Sequence, residues 1–274
     1  MGRRIPVDVF DMVDTPKATV VYLHGFGGFK DWGDNDYLAT QWLAAGMRYI
    51  RFNFSLNGTS PEYPTEFVDL EGFASNNYSH MLFDLDQVLS FLDNAEFEKQ
   101  HPGGQRAPLV LVGHSMGGTV ALLAACEFAA VDAAISWAAP AACKTPWERW
   151  SPERMQEWQQ TGVQYYLNGR SRQKIPLHYQ LYQDWENNVC RFDLETRLAT
   201  CKKPLLVAHG REDVSVPPAA ASLLTIWAPG AQLSIVEGDH TFNRKHPAAG
   251  AGTTPAMAAV VKTSLDFVHG LVHN

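Results

Sequence analysis

The feature that most constrains this chain is a Gly-x-Ser-x-Gly pattern that lies between two apolar runs. Residues 109–112 have the length and β-branched content of a buried parallel strand. Residues 119–126 are almost entirely apolar and rich in alanine, which is typical of a buried helix. Because Gly113 and Gly117 lack Cβ atoms, strand and helix can approach closely. The pattern therefore predicts Ser115 at the apex of a strained turn, with its hydroxyl presented as a nucleophile.

Composition excludes several classes of protein. The chain has 274 residues, 46% of them hydrophobic and 19% charged, which indicates a globular protein with enough length for one large core. The net charge is −7 and no basic block occurs, so we do not expect nucleic-acid binding. No apolar run reaches the roughly 18 residues of a membrane span, and the first residues carry no signal-peptide pattern. We therefore expect a cytoplasmic protein without a membrane association.

Neither a metal nor a cofactor is expected. The 4 cysteines show no zinc-site spacing and are interpreted as reduced structural thiols. His269 and His273 lie four residues apart on the predicted last helix, a spacing that can bind a metal. No carboxylate or cysteine is evidently placed to complete such a site.

Strands and helices alternate through most of the chain. Strands are predicted at residues 18–23, 48–54, 109–112, 133–138, 204–209 and 232–236. Helices are predicted at about residues 34–45, 79–95, 119–130, 217–227 and 254–272. This alternation predicts an α/β fold with a doubly wound, mostly parallel sheet. The carboxylates of the second helix, Asp84 and Asp86, are interpreted as exposed to solvent or as helix caps.

Residues 141–200 depart from this alternation. They mix charged residues with bulky aromatics and show no strand–helix rhythm. We therefore expect a single domain, with a core formed by residues 1–140 and 201–274 and a cap insertion at 141–200. Aromatic residues in such an insertion either pack it on the core or line a pocket beneath it. The candidate substrate-binding residues are Trp147, Trp150, Trp158, Tyr165 and Tyr182.

Two loops downstream of Ser115 carry residues that could activate its hydroxyl. A serine needs a base to take its proton, and the base needs an acid that orients it. Asp213 follows one predicted strand and His240 follows the next, so both are expected at the carboxyl edge of the sheet. Glu212 and Asp239 are alternative acids, but Asp239 is the immediate neighbour of His240 and would have to fold back to reach it. The predicted triad is Ser115, Asp213 and His240.

A glycine-rich loop follows the first long strand. It reads His24-Gly25-Phe26-Gly27-Gly28, but Lys30 stands where a dinucleotide fingerprint requires glycine, and no phosphate-binding lysine follows. We interpret the loop as one that directs backbone N–H groups at a developing negative charge. His24 and His209 each precede a glycine at a strand end and are interpreted as hydrogen-bonded structural residues, and His114 as part of the turn around Ser115.

These motifs resemble the α/β-hydrolase family, and the resemblance extends from the His24 loop to the His240 loop. It implies that Ser115 is the nucleophile, Asp213 the acid and His240 the base. It also implies that the backbone N–H groups of Phe26 and Met116 form the oxyanion hole.

A narrower resemblance is to bacterial capped serine esterases, including those that act on cinnamoyl or feruloyl esters. It rests on the segment H-G-F-G-G-F-K-D-W at residues 24–32 together with the inserted cap. One segment departs from the family pattern. Where many members have Asp-x-Arg-Gly-x-Gly, residues 53–58 read Asn-Phe-Ser-Leu-Asn-Gly, so the structural bonds of that segment are not carried over.

The resemblance implies a serine hydrolase that cleaves small-molecule carboxylic esters, with short-chain or aryl groups, through an acyl-enzyme. A peptidase, an amidase or a thioesterase would use the same triad. A catalytically silent, hydrolase-like binding protein would keep the fold but needs no triad. The sequence identifies neither the natural substrate nor the oligomeric state.

Overall fold

A seven-stranded sheet lies at the centre of a computed structural model that describes residues 3–12, 15–103, 107–169, 171–250 and 252–272. Its strands, in spatial order, are β1 (Val7–Phe10), β3 (Arg48–Phe52), β2 (Thr19–Leu23), β4 (Leu109–His114), β5 (Ala133–Trp137), β8 (Leu205–Gly210) and β9 (Gln232–Val236). β1 pairs antiparallel with β3, and the other pairs are parallel. The doubly wound, mostly parallel sheet predicted from the sequence is therefore confirmed.

Helices cover both faces of the sheet. On one face lie α1 (Asn35–Ala44) and α10 (Pro255–Val272), and on the other α3 (Tyr78–Leu92), α5 (Met116–Glu127) and α9 (Ala219–Trp227). The short helices α2 (Leu70–Ala74) and α4 (Ala95–Gln100) precede and follow α3. Because successive residues of a strand point to opposite faces, Val110 and Val112 pack towards α10 while Leu111 packs towards α5. Strands that are buried on both faces read as continuous apolar runs, which explains why the sequence indicated them clearly.

The region between β5 and β8 has more regular structure than its sequence indicated. It contains α6 (Pro152–Thr161), the antiparallel hairpin of β6 (Val163–Leu167) and β7 (Lys174–His178), α7 (Gln180–Asn187) and α8 (Leu194–Thr200). α8 packs against α5 and α9, so it is part of the helical layer of the core. The C-terminal end of the expected cap at residues 141–200 is thus a core helix, which leads into β8, the parallel neighbour of β5.

An aromatic cluster forms the interior of the region expected to be a cap. The indole of Trp158 is fully buried, and its Nε1–H donates to the carbonyl of Leu177 at 2.8 Å. The ring centroids of Trp150 and Tyr179 lie 5.0 and 5.4 Å from that of Trp158. Such tilted and edge-to-face contacts stabilise a small insertion that has little other core.

Within the described ranges, no helix combines the length and the apolar character that crossing a lipid bilayer would require.

Candidate active site

Ser115 occupies a strained turn between β4 and α5. Its φ and ψ are 54° and −123°, in a region that a residue with a side chain rarely adopts. The turn is held by two backbone bonds: the N–H of Ser115 donates to the carbonyl of Trp137 at 2.7 Å, and its carbonyl accepts from Gly118 at 2.8 Å. The neighbouring core keeps this conformation in place, and the side chain emerges at the carboxyl edge of the sheet.

Two glycines allow this turn to form. A Cβ atom on Gly113 would overlap the carbonyl group of Gly117, and a Cβ atom on Gly117 would overlap the carbonyls of Leu23 and His24. The obstructing atoms are backbone, so they cannot move aside as a flexible side chain would. Strand β4, helix α5 and the loop after β2 can therefore approach only with glycine at both positions.

Replacement of Gly113 by alanine should lower the free energy of unfolding by about 3 kcal/mol, because the added methyl group overpacks a site with no room. Gly230, where a Cβ atom would meet nothing within 4 Å, provides the matched control. Denaturant unfolding of both variants measures the difference. Equal stabilities for Gly113→Ala and Gly230→Ala would contradict the close backbone approach.

The structure brings Ser115, His240 and Asp213 together. Nε2 of His240 lies 2.9 Å from Oγ of Ser115, and Nδ1 of His240 lies 2.7 Å from Oδ2 of Asp213. Asp213 lies in the loop after β8 and His240 in the loop after β9, as the chain order predicts. In this geometry Nδ1–H donates to the carboxylate and Nε2 is free to accept the serine proton, which is how a serine nucleophile is activated.

The carboxylate of Asp213 is held in its ionised form. Burial raises its pKa, but hydrogen bonds from His209 and His240 lower it, and the net pKa lies well below the usual range. The backbone N–H groups of Ser215 and Val216 also donate to Oδ1, at 2.9 and 2.8 Å. Asp213 is thus negatively charged beside His240 at neutral pH and in mildly acidic solution.

Neither alternative acid lies against His240. Asp239 is exposed, and its Oδ1 accepts bonds within its own turn, from the backbone of Thr241 at 2.8 Å and of Asn243 at 2.7 Å. Glu212 is exposed as well. The geometry therefore favours Asp213 as the acid.

Two further histidines near Ser115 are neutral. Burial lowers the pKa of His24 to about 4 and that of His114 to about 3. Nδ1–H of His24 donates to the carbonyl of Gly25 at 2.9 Å, and its Nε2 accepts from the N–H of Phe54 at 3.3 Å. Nε2–H of His114 donates to the backbone carbonyl of His240 at 2.8 Å, which ties the serine turn to the loop of the base.

Phe26 and Met116, the expected oxyanion donors, lie on either side of Ser115. Met116 is the first residue of α5, so its N–H has no partner within the helix. Phe26 follows Gly25, which passes so close to the nucleophile that a Cβ atom there would lie 3.0 Å from Cβ of Ser115. Both backbone N–H groups are thus carried by segments that adjoin the side chain of Ser115.

The loop that carries Phe26 is anchored by charges. Nζ of Lys30 lies 2.6 Å from Asp8 and 2.9 Å from Asp31, and the guanidinium of Arg51 lies 2.9 and 2.8 Å from the same two carboxylates. The Lys30 N–H also donates to Oδ1 of Asn53 at 2.7 Å. The residues that carried the narrower resemblance therefore hold the loop, and Asn53 supplies a bond in the segment that departs from the family pattern.

Asp84 differs from the expectation that it is exposed or caps a helix. It is buried on α3 and accepts from both the N–H and the Oγ of Ser55, at 2.6 and 3.0 Å. Burial raises its pKa. The sequence interpretation was wrong because periodicity shows which helix positions face inwards but does not show a polar partner on a distant loop.

A cleft of about 280 Å³ opens beside Ser115. The loop of residues 24–28 separates it from a smaller chamber of about 20 Å³, room for little more than one water molecule. Besides that loop and the triad residues Ser115 and His240, the cleft is lined by Tyr22, Trp32, His114, Tyr166, Asn168, Gly169 and Thr241. The chamber is lined by Asn57, Phe73, Asn76, Met81, Met116, Leu177 and Leu181 in addition to the loop.

The five aromatic residues expected to bind substrate do not line this cleft in the described ranges. Four of them belong to the aromatic cluster inside the cap or pack on it: Trp147, Trp150, Trp158 and Tyr182. Tyr165 is 53% exposed on the outer face of the hairpin. Its neighbour Tyr166 faces the cleft instead, and its ring lies 5.1 Å from that of Phe26. Side chains alternate along a strand, so only one of two adjacent tyrosines can face the core.

No metal-binding group of three or more His, Cys, Asp or Glu side chains occurs among the residues that the structure describes. His269 lies in the last turn of α10. His273, the other half of the spacing considered above, lies outside the described residues, so that pair remains untested.

Comparisons with known proteins agree on the fold. The model of the alpha/beta hydrolase family matches residues 20–252. Est1E from Butyrivibrio proteoclasticus, solved with ferulic acid bound, is 15% identical with a TM-score of 0.69, and the match covers 100% of this chain and 97% of that one. Mouse alpha/beta hydrolase domain-containing protein 10 is 18% identical (TM-score 0.70, coverage 97% and 94%). A soluble variant of the monoglyceride lipase from Saccharomyces cerevisiae is 14% identical (TM-score 0.68, coverage 98% and 92%). No curated protein gives a significant match.

Proposed function

We propose that this chain, which belongs to the α/β hydrolase family, is a serine hydrolase of carboxylic esters that acts without a cofactor. The observation that carries this proposal is the continuous path of hydrogen bonds from Ser115 through His240 to Asp213, at 2.9 and 2.7 Å. A catalytically silent binding protein would have no need of this path. The family itself supports a hydrolase, and the triad geometry supports acyl transfer.

In the proposed reaction, Oγ of Ser115 attacks the ester carbonyl while Nε2 of His240 takes its proton. The tetrahedral oxyanion is stabilised by the N–H groups of Phe26 and Met116. His240 then gives the proton to the leaving alcohol, which departs as the acyl-enzyme forms. Water repeats the sequence on the acyl-enzyme and releases the acid, and Asp213 stabilises the imidazolium in both halves.

The cleft favours small esters. Its volume of about 280 Å³ lies at the lower end of ligand pockets. Trp32 and Tyr166 supply flat apolar surface, and His114, Asn168 and Thr241 supply polar tips. The chamber behind the loop is too small for a long chain. The printed names of two similar structures support an ester substrate, since one binds ferulic acid and the other is a monoglyceride lipase.

Short-chain and aryl esters should therefore be cleaved much faster than long-chain esters or peptide amides. Since one methylene group is worth only about 1–3 kcal/mol, selectivity between acetyl and butyryl esters should be modest. The measurement is kcat/KM for acetyl, butyryl, decanoyl and cinnamoyl esters of one alcohol, with an aminoacyl anilide alongside. Preference for the decanoyl ester would contradict a small pocket, and preference for the anilide would indicate a peptidase or amidase with the same triad.

A further inference from the structure

His209 is a buried histidine that the proposed mechanism does not use. Its side chain, at the end of β8, is 0% exposed, and its Nε2 lies 2.9 Å from the carbonyl oxygen of Val216 and 3.2 Å from Oδ2 of Asp213. A carbonyl oxygen only accepts hydrogen bonds, so Nε2 carries a proton that it donates to Val216 and that lies beside Oδ2 of Asp213. Nδ1 has no partner within the described ranges, which favours the neutral tautomer with its proton on Nε2.

The carboxylate of Asp213 is therefore surrounded by donors. Oδ1 accepts the two backbone N–H groups of its own loop, and Oδ2 accepts from the imidazole of His240 at 2.7 Å and lies 3.2 Å from Nε2 of His209, which lowers the pKa of Asp213. The same His209 proton also reaches the Val216 carbonyl, so one side chain holds both the carboxylate and the turn that carries it. Without His209, the Val216 carbonyl would lose that donor.

We propose that His209 is a positioning residue of the triad, whose shared Nε2–H fixes Oδ2 of Asp213 in the orientation in which it meets His240. The consequence for turnover rests on the serine-hydrolase mechanism proposed above. The orientation itself does not, because it can be measured without a substrate.

Removal of this donor has two effects on the triad. The carboxylate is held less firmly, so fewer molecules have His240 correctly oriented. In addition, the negative charge on Oδ2, no longer shared with a second imidazole, acts more strongly on His240 and favours its protonated form. The acid limb of the pH profile, which is the low-pH side on which kcat/KM falls, should therefore move to higher pH.

The other titratable groups around the triad either have partners of their own or are exposed. His114, on β4, is neutral because burial lowers its pKa to about 3, and Arg244, in the loop after β9, acts on it from a distance. Arg244 itself is paired with Asp34 at 3.0 Å. Glu212 and Asp239, which directly precede Asp213 and His240 in the sequence, are exposed. A shift of the acid limb would thus report on the contact between His209 and Asp213.

His209→Leu removes the donor at similar volume, and His209→Gln can place an amide N–H near the same two oxygens. We expect His209→Leu to lower kcat about tenfold with little change in KM, since a hydrogen bond to a charged group is lost, and to move the acid limb to higher pH. His209→Gln should restore most of both. Equal losses in both variants without a shift of the acid limb would overturn the proposal, because they would indicate a structural role.

A second measurement needs no substrate: the low-field proton resonance of the His240 Nδ1–H bonded to Asp213. We expect it to move further downfield in His209→Leu and to return towards its original position in His209→Gln. If His209→Leu does not fold, the measurement is made on His209→Asn, whose side chain is too short to reach Oδ2 of Asp213. An unchanged resonance would overturn the positioning role. A shifted resonance in a protein that cleaves no ester would support the role and refute the proposed function.

Discussion

Replacement of Ser115 by alanine is expected to lower ester turnover by about a millionfold while the fold stays intact. Oγ is the atom that attacks the carbonyl, and no other hydroxyl is bonded to Nε2 of His240 in the described part of the chain. The loss should be in kcat, since the cleft walls that bind the ester are unchanged. Steady-state kinetics measure the effect, and circular dichroism reports on the fold.

Labelling by a fluorophosphonate separates this role from a general loss of structure. Mass spectrometry should find one adduct on the unmodified protein, located at Ser115, and none on Ser115→Ala. Ser222→Ala, at an exposed position of α9, is the matched control and should be labelled normally. Retention of more than a few per cent of the original activity by Ser115→Ala would refute the nucleophile assignment.

The parts of the fold that could be predicted from the sequence are those with a local signal. β4 and β8 are buried on both faces, so each is a nearly continuous apolar run. The turn at Ser115 could be predicted because the Gly-x-Ser-x-Gly pattern is itself local: Gly113 is constrained by the carbonyl group of Gly117 in the same motif, although the atoms that constrain Gly117 belong to Leu23 and His24. The candidate triad followed from the topology, since Asp213 and His240 come directly after strands whose carboxyl ends share one edge of the sheet.

The region between β5 and β8 shows which structural features local sequence patterns do not predict. Tyr165 and Tyr166 are adjacent and chemically identical, and only the register of the β6–β7 hairpin decides which one faces the cleft. α8 was assigned to the cap because its sequence follows the aromatic stretch without a break, yet it packs against α5 and α9. In both cases the deciding partner is distant in sequence.

Polar partners inside the molecule were missed for the same reason. The bond between Asp84 and Ser55 joins a helix to a loop 29 residues earlier. His209 was correctly suspected of a hydrogen-bonded role, but nothing in its sequence neighbourhood indicates that its partners are the Asp213 carboxylate and the Val216 carbonyl. Residues that contact a site residue without taking part in the reaction have no sequence motif, because each fits the position of one particular partner.

The exchange of Asp213 for asparagine should lower kcat by roughly 10⁴. The backbone N–H groups of Ser215 and Val216 will select the amide oxygen, because they can only donate. The amide NH₂ then faces Nδ1 of His240, whose N–H the carboxylate accepted, and lies near Nε2 of His209. To avoid two opposed donors, His240 must move its proton to Nε2, and in that tautomer it cannot accept the proton of Ser115.

Asp239→Asn tests the same chemical change at the neighbouring carboxylate and serves as the control. Its amide oxygen can still accept the bonds that Oδ1 receives from Thr241 and Asn243, so the turn is kept and kcat should change by less than about threefold, as for other surface substitutions. Both variants are compared by kcat with one acetyl ester, and by thermal unfolding to establish that each is folded. If Asp239→Asn caused the larger loss, the acid of the triad would be Asp239. The bond of 2.7 Å between Asp213 and His240 would then be structural.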